Sequence, residues 1–100
     1  MKVTNMISSR GNAVPNQFVI EGHKHYGDAN NPPMITKRYR AFQSYDSTIV
    51  AIEGDDVLLD AHYWDYSRTT SKYRNQFLGE TKKETQAKID SGEYILTILN

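Results

Sequence analysis

Residues 60–79, Asp-Ala-His-Tyr-Trp-Asp-Tyr-Ser-Arg-Thr-Thr-Ser-Lys-Tyr-Arg-Asn-Gln-Phe-Leu-Gly, constrain the fold more than any other stretch of the chain. They contain the single tryptophan and three of the seven tyrosines. Tyr66, Thr70, Tyr73 and Phe77 recur at helical spacing and line one face of a helix, with Arg68, Lys72 and Asn75 on the opposite face. Aromatic side chains bury more area than any others, so Tyr63, Trp64 and this stripe are expected at the centre of the core. Gly79 supplies the left-handed residue that ends such a helix.

Turn residues divide the rest of the chain into extended runs. Residues 2–7 read as a short strand or a loose arm before the turn-rich Ser8-Ser9-Arg10-Gly11-Asn12. Residues 16–21, Asn-Gln-Phe-Val-Ile-Glu, read as a strand with Phe18 and Ile20 pointing inward. Residues 27–33, Gly-Asp-Ala-Asn-Asn-Pro-Pro, oppose regular pairing and are expected as an exposed hairpin tip. Residues 34–45 alternate Ile35, Lys37, Tyr39 and Ala41 against Arg38, Arg40 and Phe42. That mixture predicts a strand that starts outside the core and enters it near Phe42 and Tyr45, with Asp46-Ser47 as the turn out. Residues 48–53 and 57–60, separated by Gly54-Asp55-Asp56, complete a three-strand meander.

Beyond Gly79, Thr81-Lys82-Lys83-Glu84 is a capping-box pattern that starts a second helix, with Glu84 and Lys88 placed as an i, i+4 pair. Its only apolar residues are Ala87 and Ile89, so it is expected on the surface, and Ser91-Gly92 stops it. The nearly continuous apolar run of residues 94–99 predicts a last strand covered on both faces and lying inside the sheet. The fold class read from this order is α+β. It is an antiparallel sheet of about five strands with two consecutive helices before the last strand, forming one domain over residues 1–100 with 23–40 as a protruding hairpin.

Composition narrows the function classes. Twelve basic and twelve acidic residues cancel, which argues against a surface built throughout to attract nucleic acid or anionic lipid. The chain has no cysteine, which removes disulfides, thiolate catalysis and cysteine-based zinc sites together. No apolar run approaches the ~20 residues of a membrane span, and the first residues carry no apolar leader segment, so no membrane partner and a cytoplasmic location are expected.

Three constellations of side chains bear on chemistry. His23 and His25, with Asp28 nearby and His62 farther on, make half of a metal site at best, and an exposed polar hairpin explains them as well. Asp55, Asp56, Asp60 and Asp65 supply carboxylates, but Asp55-Asp56 reads as a turn and Asp65 as the start of a helix. Neither set amounts to a catalytic, metal or cofactor site, and the chain is expected not to be an enzyme. Arg38, Arg40, Arg68, Lys72 and Arg74, interleaved with Tyr39 and Tyr73, form the one combination suited to nucleic acid, where bases stack on aromatics and cations follow phosphates.

Asn16-Gln17-Phe18, Phe42-Gln43-Ser44-Tyr45, Trp64-Asp65-Tyr66-Ser67 with Thr69-Thr70, Lys72-Tyr73-Arg74, Phe77-Leu78 and Ser91-Gly92-Glu93-Tyr94 together resemble a family of short uncharacterised proteins of tailed bacteriophages and prophages. The block from Trp64 to Leu78 is the specific part. The resemblance implies a phage or mobile-element origin, action inside the bacterial host and no catalytic residues to carry over. The segment 23–40 is longer than such proteins lead one to expect. On this basis the expected role is that of a non-enzymatic accessory protein that binds a macromolecule. A host or defence protein comes first, as for an anti-defence inhibitor, followed by nucleic acid and then a place as a small virion component. The expected contact residues are His25, Tyr26, Tyr39 and Arg40, because exposed tips carry function and Tyr and Arg are enriched at interface hot spots. The oligomeric state is left open.

Overall fold

The computed structural model of the protein describes residues 1–27, 30 and 35–100. Most of the expected hairpin tip, residues 28, 29 and 31–33, lies outside the described residues, as does residue 34. Among the described residues the chain forms β1 (Lys2–Ile7), β2 (Ala13–Tyr26), β3 (Ile35–Ser44), β4 (Ser47–Glu53), β5 (Asp56–Asp60), α1 (Arg68–Leu78), α2 (Lys82–Asp90) and β6 (Tyr94–Thr97). The strands lie in one sheet in chain order, β1-β2-β3-β4-β5-β6. Neighbours from β1 to β5 are antiparallel, whereas β6 runs parallel to β5 because the two helices carry the chain back before it pairs. The α+β class and the two helices before the last strand stand as expected, with a sixth strand because residues 2–7 pair as β1.

Both helices cover the same face of the sheet. Phe42, Val50, Leu59 and Tyr94 point up from it to meet Tyr73 and Phe77 of α1, with Met6 and Ile49 completing the buried core. The Phe42 and Phe77 rings stack with centroids 6.0 Å apart. Ser67 caps α1 by accepting from the Thr70 amide, and Gly79 at φ 69 ends it, returning its N–H to the Asn75 carbonyl. Thr81 and Glu84 form both halves of the capping box on α2.

The structure corrects several expectations. Phe18 and Ile20 point to the sheet face opposite the helices; the β2 residue that packs against the core is Val19, directly across from Phe42. Tyr63 and Tyr66 precede α1 and stay 38% and 48% exposed, and the buried α1 residues are Thr70, Tyr73, Arg74 and Phe77. Tyr45 is 54% exposed, because the turn is Tyr45-Asp46 between the paired Ser44 and Ser47, with Tyr45 itself at φ 57. Lys88 pairs with Glu80 at 2.7 Å, leaving Glu84 to the capping box. Finally, β6 is an edge strand with Ile95 and Leu96 exposed, not an interior one. Its apolar run reads as two-sided burial, but α2 covers only one face and nothing pairs with its outer edge among the described residues.

Candidate functional site

β2 and β3 pair without interruption from Gln17↔Ser44 to Tyr26↔Ile35, ten consecutive partners. Their flanking strands stop earlier. The β1 ladder ends at Lys2↔Glu21 and the β4 ladder at Tyr39↔Glu53, with one further bond from the Gly54 amide to the Arg38 carbonyl. Beyond that level the two strands run on as a two-stranded ribbon. Ribbons of this kind are marginal in isolation. This one is braced by its side chains: the Lys24 ammonium lies 5.1 Å from the Tyr39 ring centroid, Lys37 lies 5.2 Å from that of Tyr26, and His25 Nδ1 shares a 2.9 Å hydrogen bond with Thr36 Oγ1.

Strand alternation gives the ribbon two faces of different chemistry. On the helix side lie Glu21, His23, His25, Thr36, Arg38 and Arg40. Glu21, Arg38, Arg40, Ile52 and Gly54 line an open groove of about 400 Å³ there. It continues into a second hollow of about 310 Å³ bounded by Thr4, Val19, Gln76 and Phe77. The Arg40 guanidinium roofs the junction, 4.9 Å from the Phe77 ring centroid. On the opposite side lie Lys24, Tyr26, Lys37, Tyr39 and Glu53. Lys24 Nζ donates to Glu53 Oε1 at 3.0 Å. The Tyr26 hydroxyl is shut off from water beside Glu53, in a contact short of a well-formed hydrogen bond. The carboxylate still opposes its ionisation and, with burial, pushes its pKa up to about 12. Glu53 is in turn held below the usual carboxylate range by Tyr26 and by Lys24, against the effect of burial.

The four expected contact residues therefore divide, His25 and Arg40 on the groove side and Tyr26 and Tyr39 on the other, so no single flat partner surface meets all four. The nucleic-acid set divides further. Arg38 and Arg40 share the groove, but Arg68 opens α1 while Arg40 sits against Phe77 near its end, about 13 Å away at 1.5 Å per residue. Lys72 is exposed on α1 over the Tyr73 ring at 5.4 Å. Arg74 is fully buried. Its guanidinium donates to the Trp64 carbonyl, to Ser71 Oγ at 3.3 Å, to Asp65 Oδ1 at 3.4 Å and to Asn75 Oδ1 at 2.9 Å, and lies 5.0 Å from the Trp64 ring centroid. Burial pulls its pKa below the usual arginine value, with Asp65 opposing. Arg74 ties the 60–67 loop to α1 and has no surface to offer a phosphate.

The carboxylates have structural work as well. Asp60 is buried where β5 ends; Oδ2 accepts from the His62 and Tyr63 amides at 3.1 and 2.9 Å, and Oδ1 from the Leu99 amide at 2.8 Å. Burial works to raise its pKa, and these donors, with Asn100, together hold it below the ordinary value. Asp65 lies two residues before the Ser67 cap and accepts from Ser71 at 2.8 Å and from Lys82 at 2.6 Å. Glu80 accepts from Tyr94 and Lys88, each at 2.7 Å, and from Thr85 at 3.1 Å, pinning the start of α2 to β6. His23 and His25 share the groove face as alternation requires, and no third potential ligand joins them in a cluster among the described residues.

Residues 1–93 match a protein family of unknown function, DUF8033. The chain belongs to this family. No curated protein matches the chain, and no solved structure does. Among the described residues no helix is long and apolar enough to cross a membrane.

Sequence reading missed the charge distribution of the ribbon. From Gly22 to Arg40 the hairpin sequence holds four cations, Lys24, Lys37, Arg38 and Arg40, against one acid, Asp28. Taking these from the 12 basic and 12 acidic residues leaves 8 against 11 in the rest of the chain. Net neutrality conceals this segregation, and counting charge by hairpin instead of by chain reveals it.

Proposed function

We propose that this member of the family is a non-enzymatic accessory protein of phage type, which acts by binding a macromolecule through the β2–β3 ribbon, foremost a host or defence protein. The observation that carries the reading is the ribbon itself: a basic two-stranded projection with His, Tyr, Lys and Arg side chains on both faces, held out from an otherwise acidic body. Two-faced projections enter clefts, where a partner contacts both sides and Tyr and Arg supply anchoring area. The buried ionisable groups are consistent with a binding role, since Asp60, Arg74 and Glu80 are each committed to holding loops and helices in place. The phage setting and the anti-defence role rest on the resemblance of the Trp64–Leu78 block and its neighbours. Nucleic acid is the second reading, favoured by the four cations of the β2–β3 hairpin. Protein comes first because Lys24 is paired with Glu53 and Arg40 is stacked on Phe77, which leaves fewer cations free to follow phosphates.

His23 and Arg38 are direct partners, so replacing residues 24–37 by Asn-Gly joins them through a two-residue hairpin turn. In affinity capture from infected bacterial cells, the full chain is expected to retain a protein that the shortened chain loses, with both equally folded by circular dichroism. Retention of every partner by the shortened chain would sink the assignment. Capture of labelled DNA or RNA that weakens steeply with salt, in place of any protein, would promote the second reading.

A further inference from the structure

The face of the sheet turned away from the helices carries a row of apolar side chains that spans all six strands. Ladder register places Val3, Ile20, Ala41, Ala51, Leu58 and Ile95 side by side, one from each strand. Phe18 stands on the same face two residues from Ile20, and Tyr39 two residues from Ala41. The Met1 side chain lies against Gly22, where an added Cβ would come within 2.7 Å of Met1 Cγ. None of these residues belongs to the cluster under the helices; Ala41 and Ala51 are shut off from water by their larger neighbours, and Phe18, Ile20, Tyr39 and Leu58 are half-buried. Val3 is 60% exposed and Ile95 48%. Alternating strands ordinarily place polar residues on a solvated face. A row that is apolar on every strand is the pattern of a sheet with a second layer.

We propose that a second copy of this chain supplies that layer, through a two-fold, face-to-face contact of the two sheets. The charges beside the row argue for a copy over an unrelated partner. On this face the cations Lys24 and Lys37 stand on β2 and β3, while the acids Glu53 and Asp56 stand on β4 and β5. A two-fold axis parallel to the strands, between β3 and β4, sets β2 and β3 of one copy over β5 and β4 of the other. It thereby brings each copy's Lys37 toward its partner's Glu53, and Lys24, which bonds Glu53 of its own chain at 3.0 Å, toward its partner's Asp56, while the apolar row stacks on itself. Ala41 and Ala51 keep the face low where the axis passes, so the sheets approach closely with Ile20 and Leu58 on either side. Six strands at about 4.8 Å spacing make a row about 24 Å long. With the flanking Phe18 and Tyr39 rows the footprint is at the low end of stable interfaces, so the dimer is expected to dissociate on dilution.

Sedimentation velocity of the full chain over a wide concentration range tests this. The mass is expected to rise from 11.5 kDa toward twice that value with increasing concentration. Ile20→Asp is expected to hold it at the monomer value, with the circular dichroism spectrum unchanged because Ile20 lies outside the core. Should Ile20→Asp fail to fold, Val3→Lys combined with Ile95→Lys makes the same test at positions already open to water. Lys24→Glu is expected to weaken association by about tenfold, and adding Asp56→Lys, the residue the axis sets over it, to restore it. A chain monomeric at every concentration overturns the proposal, as does an Ile20→Asp variant that associates like the parent. Protection of this face only when a foreign protein is present would assign the face to that protein and overturn the dimer.

Discussion

The inner and outer halves of β2 and β3 belong to the same two strands and share one unbroken ladder, yet different forces hold them. In the inner half Val19 and Phe42 face each other under α1, with β1 and β4 paired on either side. There the burial of apolar area dominates, at about 25 cal/mol per Å². In the outer half no third strand and no helix adjoins the pair among the described residues, and the ladder is supported by Lys24 over Tyr39, Lys37 over Tyr26, and the His25–Thr36 bond. Such contacts contribute about 0.5–1 kcal/mol each at exposed sites. Backbone pairing alone therefore sets the shape of both halves, while side-chain surroundings decide which half bears stability and which is free to bind.

Substitutions separate the halves, and the largest effect is expected in the body. Phe77→Ala removes the ring that joins Phe42 to Arg40 and is expected to cost about 3–5 kcal/mol in denaturant melts. A loss under about 1 kcal/mol would mean that the inner half does not depend on α1. Arg74→Met strips the Trp64 carbonyl and Asp65 of their shared donor and is expected to cost about 2–3 kcal/mol, with increased exposure of Trp64 seen in its fluorescence.

Acid is expected to act next, again on the body. The Asp60, Asp65 and Glu80 carboxylates are held below their usual values, although burial alone would raise them. A carboxylate with a depressed folded pKa contributes stability that is complete above its unfolded value of about 4 and is lost as pH falls through the folded one. Melting midpoints should therefore be level through neutral pH and fall below about pH 4. Asp60→Asn should cost about 1–3 kcal/mol at neutral pH, because its NH2 takes the place of one of the two accepting oxygens and faces a backbone N–H there, and should make the acid fall shallower. An acid limb of unchanged steepness would remove Asp60 from the account.

The smallest effect on stability is expected in the ribbon. Lys24→Ala breaks a pair whose lysine side chain is 46% exposed, and is expected to change stability by no more than about 0.5 kcal/mol. A melting change comparable to that of Phe77→Ala would show that the ribbon is part of the folding unit and would erase the contrast between the halves.

By itself the sequence determined the parts whose causes are local. The Thr81–Glu84 capping box, Gly79 in its left-handed conformation and the runs that became β4 and β5 follow from contacts among residues a few positions apart. The split of β3 into faces carrying Tyr39 and Ala41 or Arg40 and Phe42 was legible too, since alternation is a property of the strand alone. Tertiary structure decided which face meets the helices. Phe18 and Ile20 are as apolar as Val19, and only the position of α1 over β2 and β3 makes Val19 the core residue. The same holds for β6, whose apolar run fits an interior strand until the chain order leaves it at the edge. It holds for Arg74 as well, which helical spacing sets beside the stripe but which is buried because Trp64 and Asp65 fold back over it. Local sequence specifies conformation and periodicity; burial is a relation between segments, and it exists only once the segments have met.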